Sequence, residues 1–433
     1  MKRYYYEKLS ADEIRKVAVR PSINFARVYP VVQDIISDLR ANGDTALAAY
    51  GVKFGEIKNG ESLMVTEAEF DEAEKAISDD LKSAIKTAYN NIYSFHSRQK
   101  PAGYSLETMP GVNCSRVWRS IEEVGLYIPG GTAPLPSTVL MLGIPAVIAG
   151  CERIVMASPA KNGIIDPVIL FTAKLCGIKE FYKTGGAHTI AALAFGTEQI
   201  KKVSKIFGPG NQYVTAAKML VSTDPAGCAI DMPAGPSELL VIADENADPQ
   251  YVAADLLSQA EHGSDSQVVL VTASEQTADR VLSELKEQIK KLPRREIAEK
   301  AIESSLVLIT PDYETAVSFA NLYAPEHLII NTEDPAALLN DIKNAGSVFL
   351  GQFTPESAGD YASGTNHSLP TYGYARVSGG VSVESFMKSM TVQQITENGL
   401  MKLGPAVMTL AEAEGLAAHR EAVAVRLRKG AVI

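Results

Sequence analysis

The chain has 433 residues, 46% of them hydrophobic and 21% charged, with a formal net charge of −10; that length exceeds one simple core and points to two or more domains that fold without staples. The acidic balance, with no stretch dominated by Lys and Arg, argues against a partner bound by neutralising phosphates, so small molecules and not nucleic acid are expected. The opening MKRYYYEKLSADEIRK lacks the apolar centre of a secretory signal, and no apolar run spans a bilayer without Gly, Pro or charge, which reads as a soluble, cytoplasmic protein with no membrane partner.

The first hundred residues carry long amphipathic helical patterns over residues 31–54 and 70–99, with Asn42-Gly43 marking a break. From Val124 short β-rich runs alternate with helical stretches. VGLYI, RIVMAS, EFYKTGG and KVSKIFGPG are each followed by an apolar helical pattern. The same beat starts again at ELLVIAD and continues through QVVLVTA, SLVLITP, HLIINT and SVFLG. Strand, loop and helix at this spacing predict parallel sheets covered by helices on both faces. The fold class is therefore α/β, with two similar, doubly wound units that repeat an architecture without repeating a motif. Beyond Gly404-Pro405 the chain is helical again, with an interruption at Gly415 and a basic end, RLRKG, that suits a helix C-terminus.

A doubly wound sheet invites a dinucleotide, but neither G-x-G-x-x-G nor a P-loop is present. The chain offers instead glycine turns at strand ends: Pro129-Gly130-Gly131, Gly185-Gly186 and Gly208-Pro209-Gly210-Asn211. Such turns can present backbone N–H groups and helix N-termini to phosphate, or can simply be tight turns. Among six histidines, His262 lies one helical turn from Gln259, and both extend an apolar stripe through Val252 and Leu256. A polar pair facing inward needs either a metal or hydrogen-bonding partners, and spacing alone leaves both open. His419 shares a face with Leu416 and Val423, as a satisfied core histidine does. Glu326-His327 follows Pro325 where a helix yields to a strand, a carboxylate beside an imidazole suited to proton transfer, or an exposed polar loop. Cys114, Cys151, Cys176 and Cys228 stand alone, without a C-x-x-C pair, and read as buried free thiols.

Five segments taken together are more specific. IDMPAGPSELLVIAD at 230–244, QYVAADLLSQAEHG after it, APEH ending at His327, ESAGDYASGTNHSLPTYGYA around Asp360 and His367, and EAEGLAAH ending at His419 resemble the signature regions of histidinol dehydrogenases. The resemblance covers the chain from about Phe95 onward. It implies a four-electron oxidation of L-histidinol to L-histidine, through L-histidinaldehyde, with two NAD. It implies one zinc per subunit on Gln259, His262, Asp360 and His419, and Glu326 and His327 as the catalytic pair. Substrate contacts are implied at Ser237, Gln259, His262, His327, Asp360, His367, Glu414 and His419. Cofactor contacts are implied at Tyr127, position 188 and Asn211. This chain departs from the family at the second of these, where His188 replaces a Gln and so exchanges an amide for an imidazole.

The resemblance further implies an N-terminal helical dimerisation segment at 1–26 and an α/β domain at 27–129 and 239–381 carrying most zinc and catalytic residues. An inserted α/β domain on the NAD side would span 130–238. A C-terminal domain at 382–433 would supply Glu414 and His419 to the other subunit of a homodimer. Three rival readings are a thiol-dependent aldehyde dehydrogenase, a zinc hydrolase and a periplasmic-type ligand-binding protein. The isolated cysteines weigh against the first, hydride formation separates the second, and the missing signal peptide weighs against the third.

Overall fold

The computed structural model describes residues 1–20, 25–130, 134–232 and 235–430, so Gly131 of the first glycine turn lies outside the described residues. In chain order the strands are β1 (Lys2–Tyr5), β2 (Tyr104–Met109), β3 (Val112–Ser120), β4 (Glu123–Tyr127), β5 (Arg153–Ser158), β6 (Glu180–Lys183), β7 (Lys205–Phe207), β8 (Ala229–Ile230), β9 (Glu238–Ala243), β10 (Gln267–Thr272), β11 (Leu306–Ile309), β12 (His327–Asn331), β13 (Ser347–Leu350) and β14 (Met387–Ile395). By contacts the chain divides into two units. One is Met1–Gln99 with Ile121–Phe386; the other is Lys100–Ser120 with the chain from Met387 onward.

The first unit contains two parallel sheets. One has the order β6-β5-β4-β7-β8 and the other β1-β11-β10-β9-β12-β13. Leaving β1 aside, both follow one plan: the chain enters at the central strand, adds two strands to one side, then crosses and adds two to the other. Every residue of β9 and β10 is buried, which is why ELLVIA and QVVLVT are continuous apolar runs and not alternating ones. The expected pair of doubly wound Rossmann-like units is what these runs build.

Three features differ from the sequence reading. Lys2–Tyr5, inside a stretch read as helical, is a strand: Tyr-rich and extended, it pairs in parallel with β11 and closes the edge of the larger sheet. The helix Ala11–Val17 follows it. The second difference concerns grouping. The helix Phe25–Lys53, kinked at Gly43, shares a core with Tyr127, Ile190 and Val214 of the five-stranded unit. The helices Glu67–Ala76 and Asp79–His96 pack on Pro167–Leu175 and Pro136–Ala149 of that same unit. With β4 as its central strand, the five-stranded unit therefore extends well to the N-terminal side of the boundary read at residue 129. An amphipathic helix shows which of its faces is buried, not which sheet buries it.

The third difference is the second unit. There β14, β3 and β2 form an antiparallel sheet, and the helices Glu397–Ala413 and Ala417–Gly430 pack on each other, with Gly404 against Val423 and Leu427. The interruption at Gly415 is a left-handed residue, φ +72°, between those helices. Strands β2 and β14 are almost wholly exposed and so lack the inside-outside alternation by which strands are recognised. Among the described residues no helix is long and apolar enough to cross a membrane.

Ile329 lies at the middle of β12, between β9 and β13, and is 1% exposed. Ile329→Ala is expected to lower stability by about 2–5 kcal/mol. Denaturant unfolding followed by circular dichroism checks this, and an unchanged midpoint would contradict the burial assigned to β12.

Candidate active site

A single cleft in the first unit is lined by Asn211, Ser237, Gln259, His262, Glu326, His327, Asp360 and His367. Two sheet edges meet there. From the five-stranded sheet come the turns after β4 and β7, at Pro129 and at Pro209 to Asn211, which flank the point where strand order reverses. From the six-stranded sheet comes the opposite edge: Glu238 and His327 are the first residues of β9 and β12. The helix Pro249–Ala260 runs back from the far end of β9, so Gln259 near its end and His262 just beyond arrive at the same place.

Glu326 and His327 are both buried and are oriented by the backbone of one residue. The N–H of Glu238 donates to Oε2 of Glu326 at 2.8 Å, and the Glu238 carbonyl accepts from Nδ1 of His327 at 3.2 Å. Burial pushes the Glu326 carboxyl up to about 8, against the lowering effects of His327 and the Glu238 N–H. Burial alone would lower His327, but the carboxylates of Glu356, Glu326 and Asp360 outweigh it and raise the imidazole to about 10. Nε2 of His327 lies 3.5 Å from Oδ1 of Asp360, and Nδ1 lies 3.5 Å from Oε1 of Glu356.

The donor set suits a divalent cation. Both amide atoms of Gln259, fully buried, have no hydrogen-bond partner among the described residues, and neither do Oδ1 of Asp360 or Nε2 of His367. Unpaired buried polar atoms are costly, and here all three residues line the one cleft. His262 places Nδ1 3.3 Å from the Ser258 carbonyl, which leaves Nε2 as the ligating nitrogen, the arrangement common among metal-bound histidines. Gln259 faces inward as expected, but His262 stays exposed at the cleft; desolvation lowers both His262 and His367, favouring the neutral imidazole a metal requires. His327, Glu356 and Asp360 also offer ligand atoms within 4.8 Å of one another. Nδ1 of His327 is already engaged by the Glu238 carbonyl, whereas both buried amide atoms of Gln259 are without a partner among the described residues, so Gln259, His262 and Asp360 are the better set. Purified protein is expected to carry one divalent ion per chain, lost in His262→Asn and Asp360→Ala while circular dichroism is unchanged. Full metal content in either variant by elemental analysis would reject these ligands.

On the opposite wall, Asn211 caps the helix Gln212–Thr223, its Oδ1 accepting from the N–H groups of Tyr213 and Val214. Its NH2 group is what remains to offer a ligand. Gly208, at φ +121°, is locked by a buried ion pair. Its N–H donates to Oδ2 of Asp231 at 2.8 Å, its carbonyl accepts from Nζ of Lys218 at 2.7 Å, and Lys218 pairs with Asp231. A Cβ on Gly208 would fall 2.1 Å from the Tyr127 carbonyl, so the position admits no side chain.

Tyr127 and His188 do not line the cleft. The Tyr127 hydroxyl accepts from the Gly186 N–H at 3.0 Å, and burial pushes it up to about 12. His188 places Nε2 3.2 Å from Oε2 of Glu56 and stacks with Tyr50 and Phe54. The other oxygen of Glu56 accepts from the Gly185 N–H at 2.8 Å. Both N–H groups of the Gly185-Gly186 turn are therefore taken by side chains. Glu414 and His419 belong to the second unit, where both are exposed.

Sequence reasoning missed Glu356, 1% exposed, although its place one helical turn before Asp360 in ESAGDY was a usable signal. It also missed Glu238 as an orienting residue, which no local pattern marks. No cysteine is among the described residues lining the cleft; Cys176 and Cys228 are buried as expected, but Cys114 and Cys151 are only half-buried, and burial raises Cys151, Cys176 and Cys228 to about 12, far from a reactive thiolate.

Comparison with known proteins agrees with this geometry. The sequence model of the family described as histidinol dehydrogenase matches residues 18–427. Histidinol dehydrogenase of Vibrio parahaemolyticus is 53% identical over 430 residues, covering 99% of each chain. The chloroplastic histidinol dehydrogenase of Arabidopsis thaliana is also 53% identical, over 99% of this chain and 92% of its own. The crystal structure of histidinol dehydrogenase from Elizabethkingia anophelis superposes with a TM-score of 0.95 at 49% identity, covering 99% of this chain and 98% of that one. The chain belongs to the histidinol dehydrogenase family.

Proposed function

We propose that this protein is a soluble, cytoplasmic enzyme that oxidises L-histidinol to L-histidine through L-histidinaldehyde, with two NAD, in the last steps of histidine biosynthesis. The observation that carries the reading is the convergence on one cleft of the buried Glu326–His327 pair, the unpaired donors Gln259 and Asp360, and the Asn211 turn. Zinc is the proposed ion, since imidazole, carboxylate and amide oxygen suit it. Held by Gln259, His262 and Asp360, it would anchor the imidazole and amine of the substrate.

His327, acting in its neutral form, takes the hydroxyl proton of histidinol as hydride passes to NAD. Glu326 then removes a proton from the water that adds to the aldehyde, and His327 takes the hydroxyl proton of the hydrate as the second hydride leaves. Ser237 and His367 line the cleft and serve as substrate contacts. Asn211 and the Gly208 turn form the dinucleotide side, at the carboxyl edge where strand order reverses. The raised thiols of Cys151, Cys176 and Cys228, and the absence of any cysteine among the cleft-lining residues described, weigh against the thiohemiacetal route. The dinucleotide side weighs against a zinc hydrolase.

Gln259, His262 and Asp360 would hold the ion from this chain's cleft, and an imidazole would suit it as a further protein ligand. His419, with Glu414 as a substrate contact, is proposed to come from a second copy of the chain in a homodimer with shared sites. The exposed Met390, Val392, Leu410 and Leu416 of the second unit support an interface there.

Two experiments test the reading. In single turnover at saturating NAD, Glu326→Gln is expected to pass the first hydride from histidinol yet fail on histidinal, whereas His327→Ala slows both by roughly 10²–10⁴-fold. Equal loss of both hydrides in Glu326→Gln would make Glu326 a positioning group for the whole site. Mixing Gln259→Ala with His419→Ala subunits, each inactive alone, is expected to restore about a quarter of wild-type turnover, because half the dimers are hybrids with one intact site. No recovery after verified exchange would place His419 in the same copy's site.

A further inference from the structure

We propose that Arg20 is a positioning residue for the catalytic pair, acting through Glu238 and through the turn that delivers Glu326; the inference rests on the roles given above to Glu326 and His327. Arg20 follows the helix Ala11–Val17 and does not line the cleft. Its Nε and Nη2 donate to the two carboxylate oxygens of Glu238 at 3.0 and 2.7 Å, with the two side chains only 8% and 3% exposed. The same Nη2 donates to the carbonyl of Ala324 at 3.1 Å, and the guanidinium lies 3.6 Å over the centre of the Tyr323 ring.

These contacts are the supports of the catalytic pair. Glu238 is the residue whose N–H meets the Glu326 carboxylate and whose carbonyl meets the His327 imidazole. Its side chain is held by Arg20 and by the Tyr372 N–H at 2.7 Å. Ala324 ends the helix Tyr313–Tyr323 in a left-handed conformation, φ +52°, unusual for a residue with a Cβ, and precedes Pro325-Glu326 directly. One guanidinium thus ties the start of β9 to the turn entering β12. Freed of it, the Glu238 peptide and the Ala324 turn could shift independently, and Glu326 and His327 would lose their common frame. Lysine could supply the charge but not a planar fork that serves two carboxylate oxygens, a carbonyl and a ring face at once.

The role differs from burial of a convenient ion pair in what it predicts for turnover. Arg20→Met should lower kcat by about tenfold to a hundredfold, the scale of a small misplacement of catalytic groups. KM for histidinol and for NAD should stay within about twofold, and bound metal should be unchanged. Arg20→Lys should lie between this variant and wild type. In protein labelled with 15N-histidine, the His327 imidazole signals should move in both variants while those of His96, hydrogen-bonded to the Ile92 carbonyl elsewhere in the unit, stay in place. A folded Arg20→Met with wild-type kcat, or one that raises KM alone, overturns the proposal. Should Arg20→Met not fold, Arg20→Lys decides: reduced kcat with a shifted His327 signal supports the role, and wild-type kcat rejects it. If wild-type protein forms no NADH from histidinol, the functional reading fails instead. The imidazole signal alone then judges the positioning, and a His327 signal unmoved by Arg20→Met removes it.

Discussion

The register of β12 against β9 is the constraint on which the site depends. Parallel pairing sets His327 beside Leu239, so the Glu238 peptide is presented to the histidine ring on one side and to the preceding Glu326 carboxylate on the other. A slip of one residue would turn His327 to the opposite face of the sheet and dissolve the pair. That register is secured by apolar residues buried on both faces of both strands, Leu240 and Val241 against Leu328 and Ile329 among them. Chemistry at the strand ends is thus inherited from packing at the strand centres.

The two sheets share a strand order but present opposite edges to the cleft, and the electrostatics of the two edges differ in sign. At the carboxyl edge of the five-stranded sheet, helices begin, and the N-terminus of Gln212–Thr223 behind Asn211 favours negative charge such as a dinucleotide phosphate. At the amino edge of the six-stranded sheet, helices end. The C-terminus of Pro249–Ala260, together with Glu326, Glu356 and Asp360, favours a cation and the amine of a substrate. Setting one edge of each kind face to face gives a single cleft with an anion-seeking wall and a cation-seeking wall. The buried Lys218–Asp231 pair then fixes the first wall at Gly208.

Much of this was legible in the sequence. The apolar runs from Val124 to Leu350 mark the main strands of both sheets because strands buried on two faces are continuously apolar. Eight of the residues named from the resemblance, from Asn211 to His367, line the cleft, most of them at or next to a strand or helix end whose position the parallel topology dictates and His367 on a loop. The rest was hidden for identifiable reasons. The short, exposed β2 and β14 carry no alternation of burial. The helices of residues 25–96 disclose an apolar face but not its partner. Arg20, Glu56 and Glu238 act through contacts between residues far apart in the chain, and a charged residue in a sequence does not say whether it will be solvated or buried against a distant partner. His188, named as a cofactor contact, is instead turned toward Glu56, so an imidazole at this position serves the glycine turn from within.

The measurement that bears most directly on the account is the number of NADH formed per L-histidinol consumed, with the product identified by chromatography. A cleft that retains the aldehyde between two hydride transfers, with Glu326 and His327 serving both, predicts two NADH and L-histidine as the accumulating product. One NADH per substrate with free aldehyde in solution would contradict it, and consumption of substrate without NADH would reject the dinucleotide wall altogether.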